Sequence, residues 1–202
     1  MNTKPVFHGS DIEKICEYYH LNREDIVNFG ANVNPLGISE NIKPVLASHL
    51  DILSSYPDRD YQSLRNTIAE YCHVPADFIL PGNGSSELIA LLIETRAPKR
   101  TLLLGPTYAE YSRELSLSNS KCDEFLLKET DKFTVDVSAL CQTLLDGNYD
   151  FLIMCNPNNP TSTAVLHEDM EQILTFCEQH DIFVMILSLI HISEPTRQAE
   201  IS

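Results

Sequence analysis

Phe151-Leu-Ile-Met-Cys-Asn-Pro-Asn-Asn-Pro-Thr161 sets a short apolar run against a turn cluster. Asp150 precedes the run, and its length and composition are those of a buried strand ending in a tight loop. Two prolines remove backbone donors and stiffen the loop, while three asparagine amides are left to find partners. In a chain that alternates strands and helices, a loop at the carboxyl end of a strand lies where open α/β sheets bind ligands.

Working outward, the pattern alternates. Helical periodicity is read over Asp11–Tyr19, Ser39–Leu50, Gln62–Cys72, a segment opening at Pro81–Glu87 and running to Glu94, Tyr108–Leu117, Val137–Leu145 and His167–His180. Strand-like runs are read at Asp25–Phe29, Phe78–Leu80, Thr101–Leu104, Glu124–Leu127, Phe151–Met154 and Ile182–Ile186. The expected fold is α/β with three layers: a mostly parallel sheet covered by helices on both faces.

Composition narrows the function classes. The chain has 202 residues and is 43% hydrophobic, enough for one good core. A formal charge of −15, with 14 scattered basic residues, argues against nucleic acid, whose phosphates call for clustered Lys and Arg. The six cysteines are far apart and form no CxxC pair, so they read as reduced thiols, not a disulfide or zinc framework. Met1–Gly9 has no apolar leader core and no run approaches 18 apolar residues. The expectation is a cytoplasmic protein with no membrane partner. The seven histidines show no metal spacing, so no metal site is expected.

Two further loops carry candidate chemistry. Gly82-Asn-Gly-Ser-Ser-Glu87 offers backbone N–H groups and hydroxyls where a helix begins, an arrangement that suits an anion. The other reading is a capping box with Ser85 or Ser86 as N-cap. Gly105-Pro-Thr-Tyr-Ala-Glu-Tyr111 places Tyr108 and Tyr111 one turn apart, and a ring there either stacks on a flat cofactor or packs on a neighbouring helix. Taken with Asn156–Thr161, the three loops suit a planar phosphorylated cofactor better than a nucleotide, whose Gly-rich loop follows the first strand.

His8-Gly9, Ala31-Asn-Val-Asn-Pro-Leu-Gly37, Tyr56-Pro-Asp58 with Tyr61, Gly82–Glu87, Pro106–Tyr111 and Asn156–Thr161 together resemble the class I/II aminotransferase family, fold type I, over residues 8–186. The resemblance is to its threonine-phosphate decarboxylase and histidinol-phosphate aminotransferase branch. It implies pyridoxal 5′-phosphate as cofactor, with Gly84, Ser85 and Ser86 around the phosphate, Tyr108 on the ring and Asn159 bonded to the phenolic oxygen. Tyr56 would reach the phosphate of a neighbouring subunit, implying a homodimer. His8 and Asn32 match positions near a small phosphorylated amine substrate. The implied activity is amino-group transfer on a phosphorylated amino acid or amino alcohol. The alternatives are decarboxylation of threonine phosphate and a non-catalytic phosphate-binding α/β fragment. Ser162 departs from the family's usual Gly.

By the same resemblance, residues 1–50 belong to the small domain or arm, and 51–186 to a partial, truncated large domain. The next strand is expected to end in an Asp that meets the pyridine nitrogen. The chain has Leu187-Ser-Leu-Ile-His-Ile-Ser-Glu-Pro-Thr-Arg197 instead, which reads as a translated transposase sequencing adapter, so 187–202 is expected to be a non-native tail. All the lysines precede Asn159, and none matches the family's Schiff-base position. The chain itself is therefore expected to be inactive.

Overall fold

A computed structural model describes Phe7, residues 11–29, Asn34 and residues 36–188. The chain divides into two units, residues 1–64 and 65–202. In the first, α1 (Ile12–Tyr19) closes on His20 in the left-handed region, and the ring of Phe7 lies 5.6 Å from that of Tyr18 and 6.0 Å from that of Tyr19. The second helix, α2, covers only Ile42–Ser48 of the expected Ser39–Leu50, with a 3-10 turn following at Leu50–Ser54. Its N-cap is Asn41, and Ser39 contributes only its carbonyl, to the N–H of Ile42. The expected strand at 25–29 does not form. Arg23–Asp25 is a 3-10 turn, and Val27 and Phe29 stand exposed with no strand paired to them. Alternating apolar residues make a strand only where a ladder partner completes the backbone hydrogen bonds.

The second unit takes up most of α3 (Gln62–Cys72), whose Arg65 guanidinium donates twice to the Ala76 carbonyl at 3.1 and 2.8 Å. The expected strand at 78–80 is another correction: Ala76–Phe78 is a 3-10 turn, and Phe78 and Leu80 are exposed. The alternation then holds through α4 (Ser85–Arg96), β1 (Arg100–Gly105), α5 (Ala109–Leu117), β2 (Lys121–Leu126), α6 (Val137–Asp146), β3 (Phe151–Cys155), α7 (His167–Gln179) and β4 (Phe183–Leu187). The strands lie in the order β2-β1-β3-β4, all parallel.

Period-two alternation sorts the strand side chains between two faces. Leu103, Phe151, Ile153, Cys155 and Met185 pack with Ile89 and Ile93 of α4 and Tyr111 and Leu115 of α5. Leu102, Leu104, Leu152 and Met154 pack with Leu140 and Leu144 of α6 and Ile173 and Cys177 of α7. β3 is buried along its whole length because both faces are covered, which explains its unbroken apolar run. Burying each of these Leu, Ile or Met side chains contributes about 1.5–3 kcal/mol.

Polar groups pin the amino end of the sheet. Asp150 accepts the N–H groups of Lys99 and Arg100, both at 2.9 Å. Arg100 donates to Asp123 at 2.9 Å and to the Gly147 carbonyl at 2.7 Å, and Tyr149 donates to Asp123 at 2.9 Å. The Arg100 and Tyr149 hydrogen bonds hold the Asp123 carboxyl below its ordinary range. Among the described residues, no helix is long and apolar enough to cross a membrane, and no group of three His, Cys, Asp or Glu is placed to hold a metal.

Candidate functional site

The strand order creates the site. From β1 the chain leaves through α5 toward β2, while from the adjacent β3 it leaves through α7 toward β4, in the opposite direction and over the other face. The loops after β1 and β3 therefore part company at their carboxyl ends. A crevice at such a topological switch point is where open parallel sheets bind ligands.

The three asparagines of the β3 loop have separate fates. Asn156 accepts the Val165 N–H at 2.9 Å and donates to the Val165 carbonyl at 3.2 Å, closing the loop across nine residues. Asn158 is buried, and its Nδ2 donates to the Pro106 carbonyl and the Thr161 hydroxyl, both at 2.8 Å. Its Oδ1 accepts the Thr107 hydroxyl at 3.2 Å, so Asn158 ties the two crevice loops together. Asn159 is half-buried, and its amide makes no hydrogen bond to any described residue. Two amides thus build the loop and the third is available for a ligand. Sequence reasoning singled out Asn159 and missed the clamp at Asn158. Adjacent identical side chains carry no signal in sequence to show which one is buried.

Ser162, where the resemblance expects Gly, sits at φ 59 and donates its N–H to the Asn158 carbonyl at 2.8 Å. The turn survives the departure, with Ser held in the left-handed region. Three X-Pro bonds of the two loops are cis: Gly105–Pro106, Asn156–Pro157 and Asn159–Pro160.

Tyr108 is the N-cap residue of α5, half-buried, and its ring meets that of Tyr111 edge-on at 5.8 Å and 89°. It combines both sequence readings, packing on the helix core through one edge while standing at the mouth of the crevice.

α4 runs back from β1, so its amino end lies at the same end of the sheet as this crevice. Its N-cap is Gly84, at φ 84 and ψ 169, with no side-chain cap. That backbone region is essentially restricted to glycine. The capping-box reading of Ser85 or Ser86 is therefore corrected: both lie inside the first turn, and their hydroxyls make no hydrogen bond to a described residue. Glu87 instead reaches back to the N–H of Asn83. A Cβ at Gly82 would come within 2.7 Å of the Leu88 side chain, which would have to shift to make room for it. Free N–H groups, two free hydroxyls and the helix dipole make this end fit a phosphate.

The other candidates are dispersed. Tyr56 belongs to the first unit and is fully exposed. His8 and Asn32 lie outside the described residues, as do residues 189–202 of the expected tail.

A threonine-phosphate decarboxylase from Salmonella typhimurium is 31% identical over 179 residues, covering 89% of this chain and 49% of that protein. A histidinol-phosphate aminotransferase from Bacillus velezensis is 28% identical over 184 residues, covering 90% of this chain and 50% of its own length. The chain thus spans about half the length of the curated relatives it matches. In structure, the histidinol-phosphate aminotransferase from Clostridium acetobutylicum superposes with a TM-score of 0.68 at 29% identity, over 77% of this chain and 45% of that one. The aminotransferase class I and II family matches residues 24–186, a span that takes in the α4 amino end and both crevice loops, and the chain is a member of that family.

Proposed function

We propose that this chain forms the cofactor-binding part of a pyridoxal 5′-phosphate enzyme that acts on a small phosphorylated amine. The observation that carries the reading is the amide of Asn159, left free beside a clamped Asn158 at the switch point. When bound, the cofactor supplies an electron sink for breaking a bond at the amine carbon. The chain's residues bind and orient it. Ser85 and Ser86 hold the phosphate with hydroxyls and helix N–H groups, and Gly84 sets the backbone that exposes them. Tyr108 covers one ring face. Asn159 donates to the phenolic oxygen, a hydrogen bond to a charged group worth roughly 1.5–3 kcal/mol. Tyr56, fully exposed, is free to reach the phosphate held by a second copy in a homodimer. His8 and Asn32 are assigned to substrate binding in this reading.

Amino-group transfer is the first assignment. Decarboxylation of threonine phosphate is the second, favoured by the 31% identity to the Salmonella protein. The test of the binding role compares pyridoxine 5′-phosphate with pyridoxine by calorimetry. Binding that depends on the phosphate, and weakens in Ser85→Ala/Ser86→Ala, supports the reading, whereas equal binding of both ligands contradicts it. In a longer protein carrying this segment, release of carbon dioxide from threonine phosphate selects decarboxylation. Transfer of the amino group of histidinol phosphate to a 2-oxo acid selects transamination.

A further inference from the structure

A cavity of about 130 Å³ opens between the loop that follows β2 and the loop that follows β3. Its floor is Leu104, Leu127 and Asn158, all buried. Its walls include the half-buried Phe133, Val135 and Val165, and Leu166 stands exposed at its rim. Most of this apolar lining belongs to the core cluster that packs on α6 and α7, whereas Tyr108 and α4 pack on the other face of the sheet. The wall at Phe133 is made by an unusual backbone. Lys132 and Phe133 lie at φ 53 and φ 55, a left-handed conformation that is an outlier for a bulky side chain. The reversal brings Phe133 back against the α6–α7 cluster. Strain of this kind gathers at functional places, ligand clamps among them.

The chemistry of the lining decides what the cavity takes. Its size suits an apolar body of about six non-hydrogen atoms, since an apolar cavity of ~150 Å³ holds benzene. Most of its polar groups are already engaged. Asn158 is bonded within the clamp, and the Thr163 hydroxyl pairs with that of Thr161 at 2.7 Å and donates to the Phe133 carbonyl at 3.4 Å. Asp169 differs. It lines the cavity, is half-buried, and makes no hydrogen bond or ion pair to any described residue. Among the described residues, no Lys, Arg or His lines the cavity to neutralise it. A half-buried carboxylate beside apolar walls is stabilised by a cation that brings its own apolar body. The same charge repels a phosphate. We propose that this cavity is a binding site for a small unphosphorylated amine, with the ammonium on Asp169 and the alkyl or aryl part among Leu104, Phe133, Val135 and Val165.

The test titrates isoamylamine and isoamyl alcohol, ligands of equal size that differ in charge, into the methyl-labelled chain and follows the binding by NMR. Salt at about 0.15 M limits attraction to the chain's general negative charge to ~8 Å. The amine is expected to bind with a dissociation constant of about 1 mM or below. It should shift the methyl resonances of Leu104, Val135 and Val165, and bind at least ~5-fold more tightly than the alcohol. Asp169→Asn should remove that preference and leave the affinity for the alcohol unchanged, and Asp169→Ser takes its place if the amide variant does not fold. Binding of neither ligand, equal binding of both, shifts confined to residues outside the cavity, or an amine preference that survives in Asp169→Asn would overturn the proposal. The comparison of the two ligands on the parent chain decides the matter even where no variant folds.

Discussion

Asn158 Nδ2 lies 2.8 Å from the carbonyl of Pro106, fifty-two residues away in sequence, and this bond joins the loops that follow β1 and β3. With the Thr107 hydroxyl on its Oδ1, the buried amide makes the two halves of the crevice one structure. Asn159, next in the chain, takes no part in that structure.

The two residues are therefore separable by mutation. Asn158→Ala strands the Pro106 carbonyl and the Thr107 hydroxyl and is expected to cost about 1–3 kcal/mol in urea denaturation. Asn159→Ala is expected to change ligand-free stability by less than ~0.5 kcal/mol, while weakening pyridoxine 5′-phosphate binding measured by calorimetry. Equal destabilisation by the two changes would contradict the division of roles.

Gly84→Ala places a Cβ on a backbone at φ 84 and ψ 169. The space around it is open, so the penalty is conformational. A loss of about 1–3 kcal/mol is expected, and phosphate-dependent ligand binding should fall as the first turn of α4 shifts.

Ser162→Gly should act in the opposite direction. At φ 59 a Ser pays a steric cost of roughly 1–2 kcal/mol that Gly avoids, partly offset by the ~0.4–1 kcal/mol of extra unfolded-state entropy that Gly brings. A small net rise in thermal midpoint is the expected outcome.

The amino end of the sheet sets an acid limit. Asp123 is held below its ordinary range by hydrogen bonds from Arg100 and then Tyr149. A depressed carboxyl contributes stability that is fully present above the unfolded value, near 3.9, and is lost as pH falls through the lower folded value. Thermal midpoints from pH 6 down to 2.5 should therefore fall less steeply in Asp123→Asn than in the parent chain.

How much of this was legible in the sequence depended on how local each signal was. The eight elements from α4 to β4 were readable to within a few residues, because both faces of the sheet are covered and each strand is a short apolar run between turn residues. Asp25–Phe29 and Phe78–Leu80 misled because strand formation needs a partner, which no local pattern supplies. In the site, the glycine and serines of the α4 loop were visible, but not that Gly84 itself is the cap, which follows from a backbone angle. The Asn158 clamp depends on contacts between distant segments and leaves no trace in residue spacing.

The most direct test of the central claim is a crystal structure of the chain soaked with pyridoxal 5′-phosphate. The account predicts the phosphate on the N–H groups and hydroxyls of Ser85 and Ser86, the ring against Tyr108, and the phenolic oxygen within hydrogen-bond reach of the Asn159 amide. Cofactor bound elsewhere on the chain, or no cofactor at this crevice at saturating concentration, would contradict it.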